Sequence, residues 1–244
     1  MTRKRALLIT IIVLLAAAVI TASIALSPKR TTSPASPSSL GTNAEGFEIS
    51  PIKAGEGGSA MGPDGITPIG YPPTCEGAYA AAINFHKADQ TIDTNWPKTR
   101  ETLNYIAADA QQINSSIQTT DDMVNEYGVQ DYAVADVRAL GIFKPVNCET
   151  GKSARVIVSV VTLAKFPESS PYIVIKASPI EVLWKNGDWK LSPVNDPRDG
   201  ETLNLQLQKE TVPAITPEII DALFTKDGQG ISRDGWMVVN NATR

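Results

Sequence analysis

Residues 182–191, VLWKNGDWKL, predict a β-hairpin with a fixed register. Asn-Gly tolerates the two positive φ angles of a type I′ turn, whose twist matches that of the flanking strands. With Asn186 and Gly187 as the loop, Trp184 faces Trp189, and an opposite-charge pair lies next to the turn. Cross-strand pairs of these kinds contribute roughly 0.2–1 kcal/mol each. The chain is therefore expected to contain an antiparallel sheet that ends in this hairpin.

An uncharged run of 21 residues, 6–26, predicts a transmembrane helix. At 1.5 Å per residue it spans the roughly 30 Å hydrocarbon layer of a bilayer. A cleavable signal peptide is the alternative, because Ser23 and Ala25 are small enough for a cleavage site, although its apolar region is usually about 7–15 residues long. Three basic residues precede the run and two follow it. This positive-inside bias places residues 1–5 in the cytoplasm and the rest of the chain outside.

Residues 27–73 are rich in Ser, Pro, Gly and Thr and show no apolar period, which is typical of a flexible linker. The last part, ITPIGYPP, is more apolar and is the part suited to docking on the domain that follows. Residues 74–244 are predicted to form one extracytoplasmic domain, long enough to bury about 70% of its unfolded surface.

The domain is predicted to be α+β, with helices first and a curved antiparallel sheet afterwards. Apolar spacings of three and four residues predict a first helix over EGAYAAAINFHKADQ, a second over 95–117 and a short third over 120–127. Strands are predicted in ARVIVSVVTLAKF, YIVIKAS, IEVLW, DWKLS and 236–239, with a further helix at 217–224. The first of these strands is apolar on both alternating sets, which is typical of a central strand with both faces covered.

Two cysteines, Cys75 and Cys148, lie just before the first predicted helix and the first long strand. A disulfide would close a loop of 73 residues and contribute about 4 kcal/mol on the chain-entropy model. Two free buried thiols are an alternative. A metal site is less well supported, because a single distant histidine provides no paired ligand spacing. The oxidising compartment expected for an exported domain favours the disulfide.

The charge of the exported part excludes one class of function. Residues 31–244, which make up nearly all of the exported part, contain 17 Lys and Arg against 26 Asp and Glu, a net charge of −9. Nucleic-acid-binding domains carry the opposite sign, because they neutralise phosphates. We therefore expect no direct contact with nucleic acid.

Few residues suggest chemistry. His86 is the only histidine, and Asp89 follows it one helical turn later, so the pair can act as a general base with an orienting carboxylate. A His and an Asp at this spacing on an amphipathic helix are more often part of a solvated edge. Asp121, Asp122 and Glu126 are interpreted as the acidic first turn of a capped helix.

No motif for a calcium loop, a nucleophile elbow, a phosphate loop, a dinucleotide fingerprint or a zinc hydrolase occurs in the sequence. We therefore predict no catalytic residue, no cofactor and no metal site. In the alternative hypothesis of a ligand-binding or enzymatic domain, Tyr79 and a hairpin tryptophan wall an apolar pocket. His86 or Asp89 then supplies its polar group.

N-terminal helices followed by a long sheet that closes with LWKNGDWKL resemble the cone-shaped fold of the nuclear transport factor two-like superfamily. More narrowly, residues 65–84, GITPIGYPPTCEGAYAAAIN, look like a Gram-positive family of membrane-anchored proteins of unknown function that occur with conjugative elements. By shape and membrane arrangement that family resembles the scaffold subunit of type IV secretion machines. The resemblance covers residues 65–193 and rests on structural motifs, so the function that it implies is an analogy.

The resemblance implies a non-enzymatic, single-pass membrane protein whose extracytoplasmic domain is an assembly or adaptor piece of a conjugative DNA-transfer apparatus. Its partners would be the membrane, proteins of an envelope or transfer complex, and a second copy of the chain. The partner surface is predicted at the hairpin, with Trp184, Asn186, Gly187 and Trp189. A further alternative is an envelope accessory protein that binds cell-wall material through an exposed aromatic groove.

Overall fold

The computed structural model describes residues 36–167, 169–192 and 203–243, except for the side chains of residues 110 and 112. The predicted cytoplasmic stub, 1–5, the predicted transmembrane helix, 6–26, and the first part of the predicted linker lie outside these ranges. No helix within the described ranges combines the length and the hydropathy that a membrane span requires.

The domain is α+β, as predicted, with helices packed on a sheet of eight strands. The helices are α1 (Cys75–Asp89), α2 (Trp96–Ile106), α3 (Ala110–Tyr127) and α4 (Pro217–Leu223). The main sheet contains β1 (Glu48–Ile49), β4 (Ala133–Asp136), β5 (Ile142–Glu149), β6 (Ser153–Ala164), β7 (Tyr172–Lys185), β8 (Asp188–Ser192), β9 (Leu203–Leu207) and β12 (Met237–Val238). Two short hairpins are formed by β2 (Ala60–Met61) with β3 (Pro68–Ile69), and by β10 (Thr225–Lys226) with β11 (Gln229–Gly230).

The strand order of the main sheet is β1-β12-β5-β6-β7-β8, and β4 and β9 pair with the remaining lengths of β6 and β7. Its ladders are antiparallel except for that between β1 and β12. One face of β6 packs in the core formed with α1 and the other in a core that includes α4. The prediction that this strand is central and covered on both faces is therefore confirmed.

The two predicted strands YIVIKAS and IEVLW are one strand, β7, that passes through Pro179. Pro179 faces Ile157 on β6, while β8 pairs only with residues 181–185 and β9 only with residues 173–177. The proline therefore lies in the gap between β8 and β9. A residue without an N–H group interrupts neither the ladder to β8 nor the ladder to β9, which explains why the strand continues.

The predicted division of the second and third helices is wrong. The chain leaves α2 at Ala107, which has a ψ of 134° and bridges in parallel to Leu191 on β8. The amide of Ala108 also donates to the carbonyl of Leu191, at 2.8 Å. Asp109 then caps α3 by accepting from the amide of Gln111, at 2.9 Å. Apolar side chains recur with the helical period in both α2 and α3, because each helix buries one apolar face. The period therefore does not show where α2 ends and α3 begins.

The linker predicted over 27–73 is wrong for residues 47–73, which belong to the domain. Phe47, Ile52 and Tyr71 are at most 6% exposed, and β1 joins the main sheet. The amide of Gly55 donates to Asn84 Oδ1 at 2.7 Å, and Asn84 Nδ2 donates to the hydroxyl of Tyr71 at 2.7 Å. The docking expected for ITPIGYPP is confirmed by the burial of Thr67, Ile69 and Tyr71.

Cys75 and Cys148 form a disulfide, with their Cα atoms 5.8 Å apart. The bond joins the first residue of α1 to the end of β5. It confirms one of the three alternatives and excludes free thiols and a metal site for these two residues. A disulfide is consistent with the predicted extracytoplasmic location.

Gly77 lies in the first turn of α1, where the helix backbone passes close to Pro72. A Cβ at this position would meet the carbonyl oxygen of Pro72 at 2.2 Å. Alanine is favoured over glycine in a helix by up to about 1 kcal/mol, but so short a contact forces the two backbones apart. We expect Gly77→Ala to lower the free energy of unfolding, measured in urea, by about 1–3 kcal/mol.

Gly230→Ala is the matched control for this prediction, because a Cβ there would have nothing within 4 Å. Its free energy of unfolding should stay within about 0.5 kcal/mol of the unaltered protein. Equal stability of the two variants would show that α1 and Pro72 separate without cost.

Candidate functional site

The hairpin has the predicted register, with Trp184 opposite Trp189 and Lys185 opposite Asp188. Asn186 and Gly187 have φ angles of 57° and 80°, as a type I′ turn requires. Both turn residues are exposed. The turn therefore projects from a rigid two-stranded edge of the sheet.

The two hairpin tryptophans belong to the core beneath α1. Trp189 is fully buried, and its indole N–H donates to the carbonyl of Pro72 at 2.8 Å. Trp184 is half-buried and packs edge to face on Trp189, with ring centroids 5.3 Å apart. Trp189 therefore contributes no partner surface, in contrast to the prediction. This packing also counts against a cell-wall-binding groove built from these two rings.

A groove of about 400 Å³ lies beside the hairpin. We call it the hairpin groove, and its lining residues are Tyr105, Ala107, Ala108, Lys185, Asn186 and Lys190. The Nζ of Lys185 donates to the carbonyl of Ala108 at 2.8 Å, and the Nζ of Lys190 donates to that of Tyr105 at 3.0 Å. Carbonyls at the end of a helix lack intrahelical partners. The amine of Lys190 therefore caps the C-terminal end of α2, and the amine of Lys185 holds the segment that follows α2 against the hairpin.

The charges of Lys185 and Lys190 have different surroundings. The Nζ of Lys190 lies 3.7 Å from Asp188 Oδ2 and 3.8 Å from the ring centroid of Tyr105, which is a cation–π contact. Burial lowers the pKa of Lys190, while the carboxylate of Asp188 opposes that shift. Lys185 is exposed, and its ammonium carries more N–H donors than its bond to Ala108 uses.

The ring of Tyr105 contacts the ammonium group of Lys190 on one side. Tyr105 is also 47% exposed, so the rest of its ring remains accessible to a partner. The hairpin groove therefore presents an aromatic ring, an ammonium group and the amide of Asn186 on a fixed frame. Such a surface suits the backbone carbonyls and carboxylates of a peptide. Sequence reasoning found Asn186 but missed Tyr105, because the contact between Lys190 and Tyr105 joins residues 85 positions apart.

A second group of polar side chains lies under α1. His86 is 3% exposed, and neither of its ring nitrogens has a hydrogen-bond partner. Burial, and secondarily the charge of Lys176 on β7, lower the pKa of His86 to about 3. Burial raises the pKa of Asp89 against the opposing effects of Gln90 and Lys176. The structure therefore brings together His86, Asp89 and Lys176.

This group is not arranged as a general base. The interpretation of His86 as part of a solvated edge is wrong, since the ring is buried, yet it makes no hydrogen bond to Asp89. Asp89 instead accepts from Gln90 Nε2 at 2.8 Å. Tyr79 is fully buried, and burial raises the pKa of its hydroxyl to about 12. These side chains line neither the hairpin groove nor the groove of about 250 Å³ between residues 51–57 and α1.

The acidic residues interpreted as a helix start lie within α3 instead. Asp121 accepts from the indole N–H of Trp96 at 2.9 Å and from Arg100 at 3.1 Å, so it ties α3 to α2. Asp122 accepts from Gln118 Nε2 one turn earlier, at 2.8 Å. No group of three or more His, Cys, Asp or Glu in the described part of the chain is placed to hold a metal ion.

Acidification should destabilise the protein through His86. The pKa of the imidazole falls from 6.5 in the unfolded chain to about 3 in the fold, so between these values only the unfolded state binds the proton. The contribution of His86 to the free energy of unfolding is constant well above its unfolded pKa of 6.5. Below that pH it decreases on acidification by up to about 1.4 kcal/mol per pH unit. We expect His86→Gln to show a shallower loss of stability than the unaltered protein when urea unfolding is measured from pH 6.5 downwards.

Asp89 changes the pH dependence of stability in the opposite direction, because its pKa is raised in the fold. Asp89 is present in both the unaltered protein and His86→Gln, so its effect largely cancels when the two are compared. Lys87→Gln, next along α1, is the control and should follow the curve of the unaltered protein. Parallel curves for His86→Gln and the unaltered protein would contradict the burial of a neutral imidazole.

No protein-family model matches this chain, and neither a curated protein nor a solved structure matches it. The resemblance drawn from residues 65–193 therefore stays a prediction. The possible functions are therefore compared through two features of the structure, the hairpin groove and the cluster of His86, Asp89 and Lys176 under α1.

Proposed function

We propose that this chain is a non-enzymatic, single-pass membrane protein whose extracytoplasmic domain serves as an assembly or adaptor piece. The complex would be an envelope apparatus of the conjugative DNA-transfer or type IV secretion type, and the domain a cone of the nuclear transport factor two-like kind. The observation that carries the proposal is the hairpin groove. It combines an exposed aromatic ring with hydrogen-bond donors on an edge that two lysine–carbonyl bonds fix to α2 and to the segment that follows it.

The chemistry of the domain supports a positional role. The ionisable groups that suggested catalysis, His86 and Asp89, make no hydrogen bond to each other and line neither groove. The hydroxyl of Tyr79 is held protonated at neutral pH. These groups therefore supply neither an activated base nor an accessible acid, which supports a role in binding a partner at the surface.

A protein is the partner that fits the hairpin groove. Tyrosine is enriched among residues that dominate protein interfaces, because it buries a large rigid surface and still offers a hydroxyl. Lys185 and Asn186 stand on the same rim and donate to backbone carbonyls or carboxylates. The partner segment is therefore expected to be a peptide rich in acceptors that covers the ring of Tyr105.

Photocrosslinking in native membranes tests this proposal. A photoreactive phenylalanine analogue replaces Tyr105 in the full-length protein, a second variant carries it at Lys185, and a third carries it at the exposed Lys165, after the far end of β6. We expect one set of envelope proteins to be captured from positions 105 and 185 and not from position 165. Tyr105→Ala, combined with the probe at 185, should weaken that capture.

Three results would contradict the proposal. The first is capture that does not depend on position, and the second is capture that Tyr105→Ala leaves unchanged. The third is recovery of only a cleaved chain that is free of the membrane, which would remove the anchor. Identification of the captured proteins as subunits of a transfer machine would support the specific form of the proposal.

A further inference from the structure

We infer that the groove between residues 51–57 and the start of α1 is a second docking site, and that it takes an arginine side chain of a partner peptide. We call it the α1 groove, and it is formed by residues of the segments 51–57, 71–74 and 76–80. It shares no lining residue with the hairpin groove. The inference therefore goes beyond the proposed function and does not depend on it.

The floor of the α1 groove is apolar. Its buried lining residues are Ile52, Tyr71 and Ala80, and the rings of Pro51 and Pro72 lie beside them. The volume of about 250 Å³ is below the roughly 300–1,000 Å³ of pockets that enclose a whole small-molecule ligand. The groove therefore suits one long side chain that has an apolar stem.

The rim of the α1 groove is charged. Glu56 lines it from the 51–57 segment and Glu76 from the first turn of α1, and both are exposed. Lys53 also lines the groove, with its Nζ 3.6 Å from Glu56 Oε2. The side chains of this pair are 48% and 59% exposed, so water weakens their attraction. With two carboxylates and one ammonium group, the rim favours a cation.

An arginine side chain matches both the floor and the rim. Its methylene stem lies along apolar surface while the guanidinium stays at the water boundary. The guanidinium carries five N–H donors in a planar fork, so it binds carboxylates on two sides at once, whereas the lysine ammonium is a compact point charge. Arginine is also enriched among the residues that dominate protein interfaces. A peptide that carries an arginine is therefore the occupant that the groove fits best.

Both walls of the α1 groove are fixed in the free protein. Asn241 holds one wall through two hydrogen bonds with the backbone of Ala54, both at 2.9 Å. Asn84 of α1 accepts from the amide of Gly55 in the same wall, at 2.7 Å. The other wall, the start of α1, is tied to β5 by the disulfide of Cys75. Because no segment has to be ordered when a partner binds, less of the binding free energy is lost.

Methyl NMR of the full-length protein in lipid nanodiscs tests this inference. The probe is the blocked peptide acetyl-Ala-Arg-Ala-amide, and the same peptide with citrulline is the control, because citrulline has nearly the same shape and no charge. In protein with isotope-labelled isoleucine and alanine methyl groups, Ile52 and Ala80 report on the groove. We expect the arginine peptide to shift both signals and the citrulline peptide to bind about three- to tenfold more weakly.

Two variants separate the charge of the rim from other effects. Glu76→Gln should weaken binding of the arginine peptide by about two- to fivefold and leave binding of the citrulline peptide unchanged. Glu210→Gln removes an exposed carboxylate that follows β9 and does not line the groove. It should leave the binding of both peptides unchanged.

Four results would overturn the inference. They are equal affinities of the two peptides, shifts that spare Ile52 and Ala80, equal weakening of both peptides by Glu76→Gln, and a loss in Glu210→Gln as large as in Glu76→Gln. The last would show attraction to the net charge of the domain and not to the groove. None of these results bears on capture of a partner from positions 105 and 185, so the inference and the proposed function fail separately.

Discussion

Removal of the disulfide should lower the free energy of unfolding by about 4 kcal/mol. The double variant Cys75→Ala/Cys148→Ala opens a loop of 73 residues, for which the chain-entropy model gives about 4.4 kcal/mol. The bond joins the start of α1 to the end of β5, and Cys148 is itself 8% exposed. The loss is measured by urea unfolding, with the unaltered protein in oxidising buffer as the reference.

Reduction of the unaltered protein is the matched control, because it opens the same loop without changing a residue. Its stability should fall to near that of the double variant, and a reductant should leave the double variant unchanged. A loss below about 1 kcal/mol in both cases would show that the unfolded chain gains little freedom when the loop opens. The domain would then depend on its core alone for stability.

The parts of the fold that the sequence predicted are those determined by neighbours along the chain. The hairpin followed from Asn186 and Gly187, since a two-residue turn with two positive φ angles determines every pair beyond it. The end of α2 was missed because its cause is distant. Ala107 leaves the helix to bridge to Leu191, and no pattern around residue 107 shows that contact.

The domain boundary was misplaced for a related reason. Residues 47–73 contain too few large apolar side chains to fold alone, and composition reports only that property. Their partners come from elsewhere in the sequence, as when Asn241 accepts from the amide of Ala54 and donates to its carbonyl, both at 2.9 Å. The separation of 187 residues between these two positions lies outside any local pattern.

The candidate site shows the same limit. His86 and Asp89 were singled out correctly as ionisable neighbours, but their burial depends on how α1 packs on the sheet. Lys176 on β7, which faces both, was not identified. The turn of the hairpin groove was predicted, because its sequence pattern is local. The contact between Tyr105 and Lys190 was not predicted, because it forms only when α2 packs against β8.

The second large effect is expected from the buried tryptophan of the hairpin. Trp189→Ala should lower the free energy of unfolding by about 3–5 kcal/mol, because it leaves a cavity where a fully buried ring was packed. It also removes the indole donor of the carbonyl of Pro72 and the edge-to-face contact with Trp184. Trp184→Ala removes the same aromatic contact from a half-buried position. A loss of no more than about half as much is expected there, because less buried surface is removed.

Trp189→Phe separates packing from the hydrogen bond, since it keeps an aromatic ring and removes the donor to Pro72. Because Pro72 belongs to the segment that leads into α1, both Trp189 variants should increase hydrogen exchange in residues 47–73 relative to Trp184→Ala. The amides of β6 should exchange more slowly than that segment in every variant, because the strand is central. Equal losses of stability for Trp189→Ala and Trp184→Ala would contradict the assignment of Trp189 to the core. The hairpin would then be held chiefly by its turn and by the two lysines that bind the end of α2 and the segment after it.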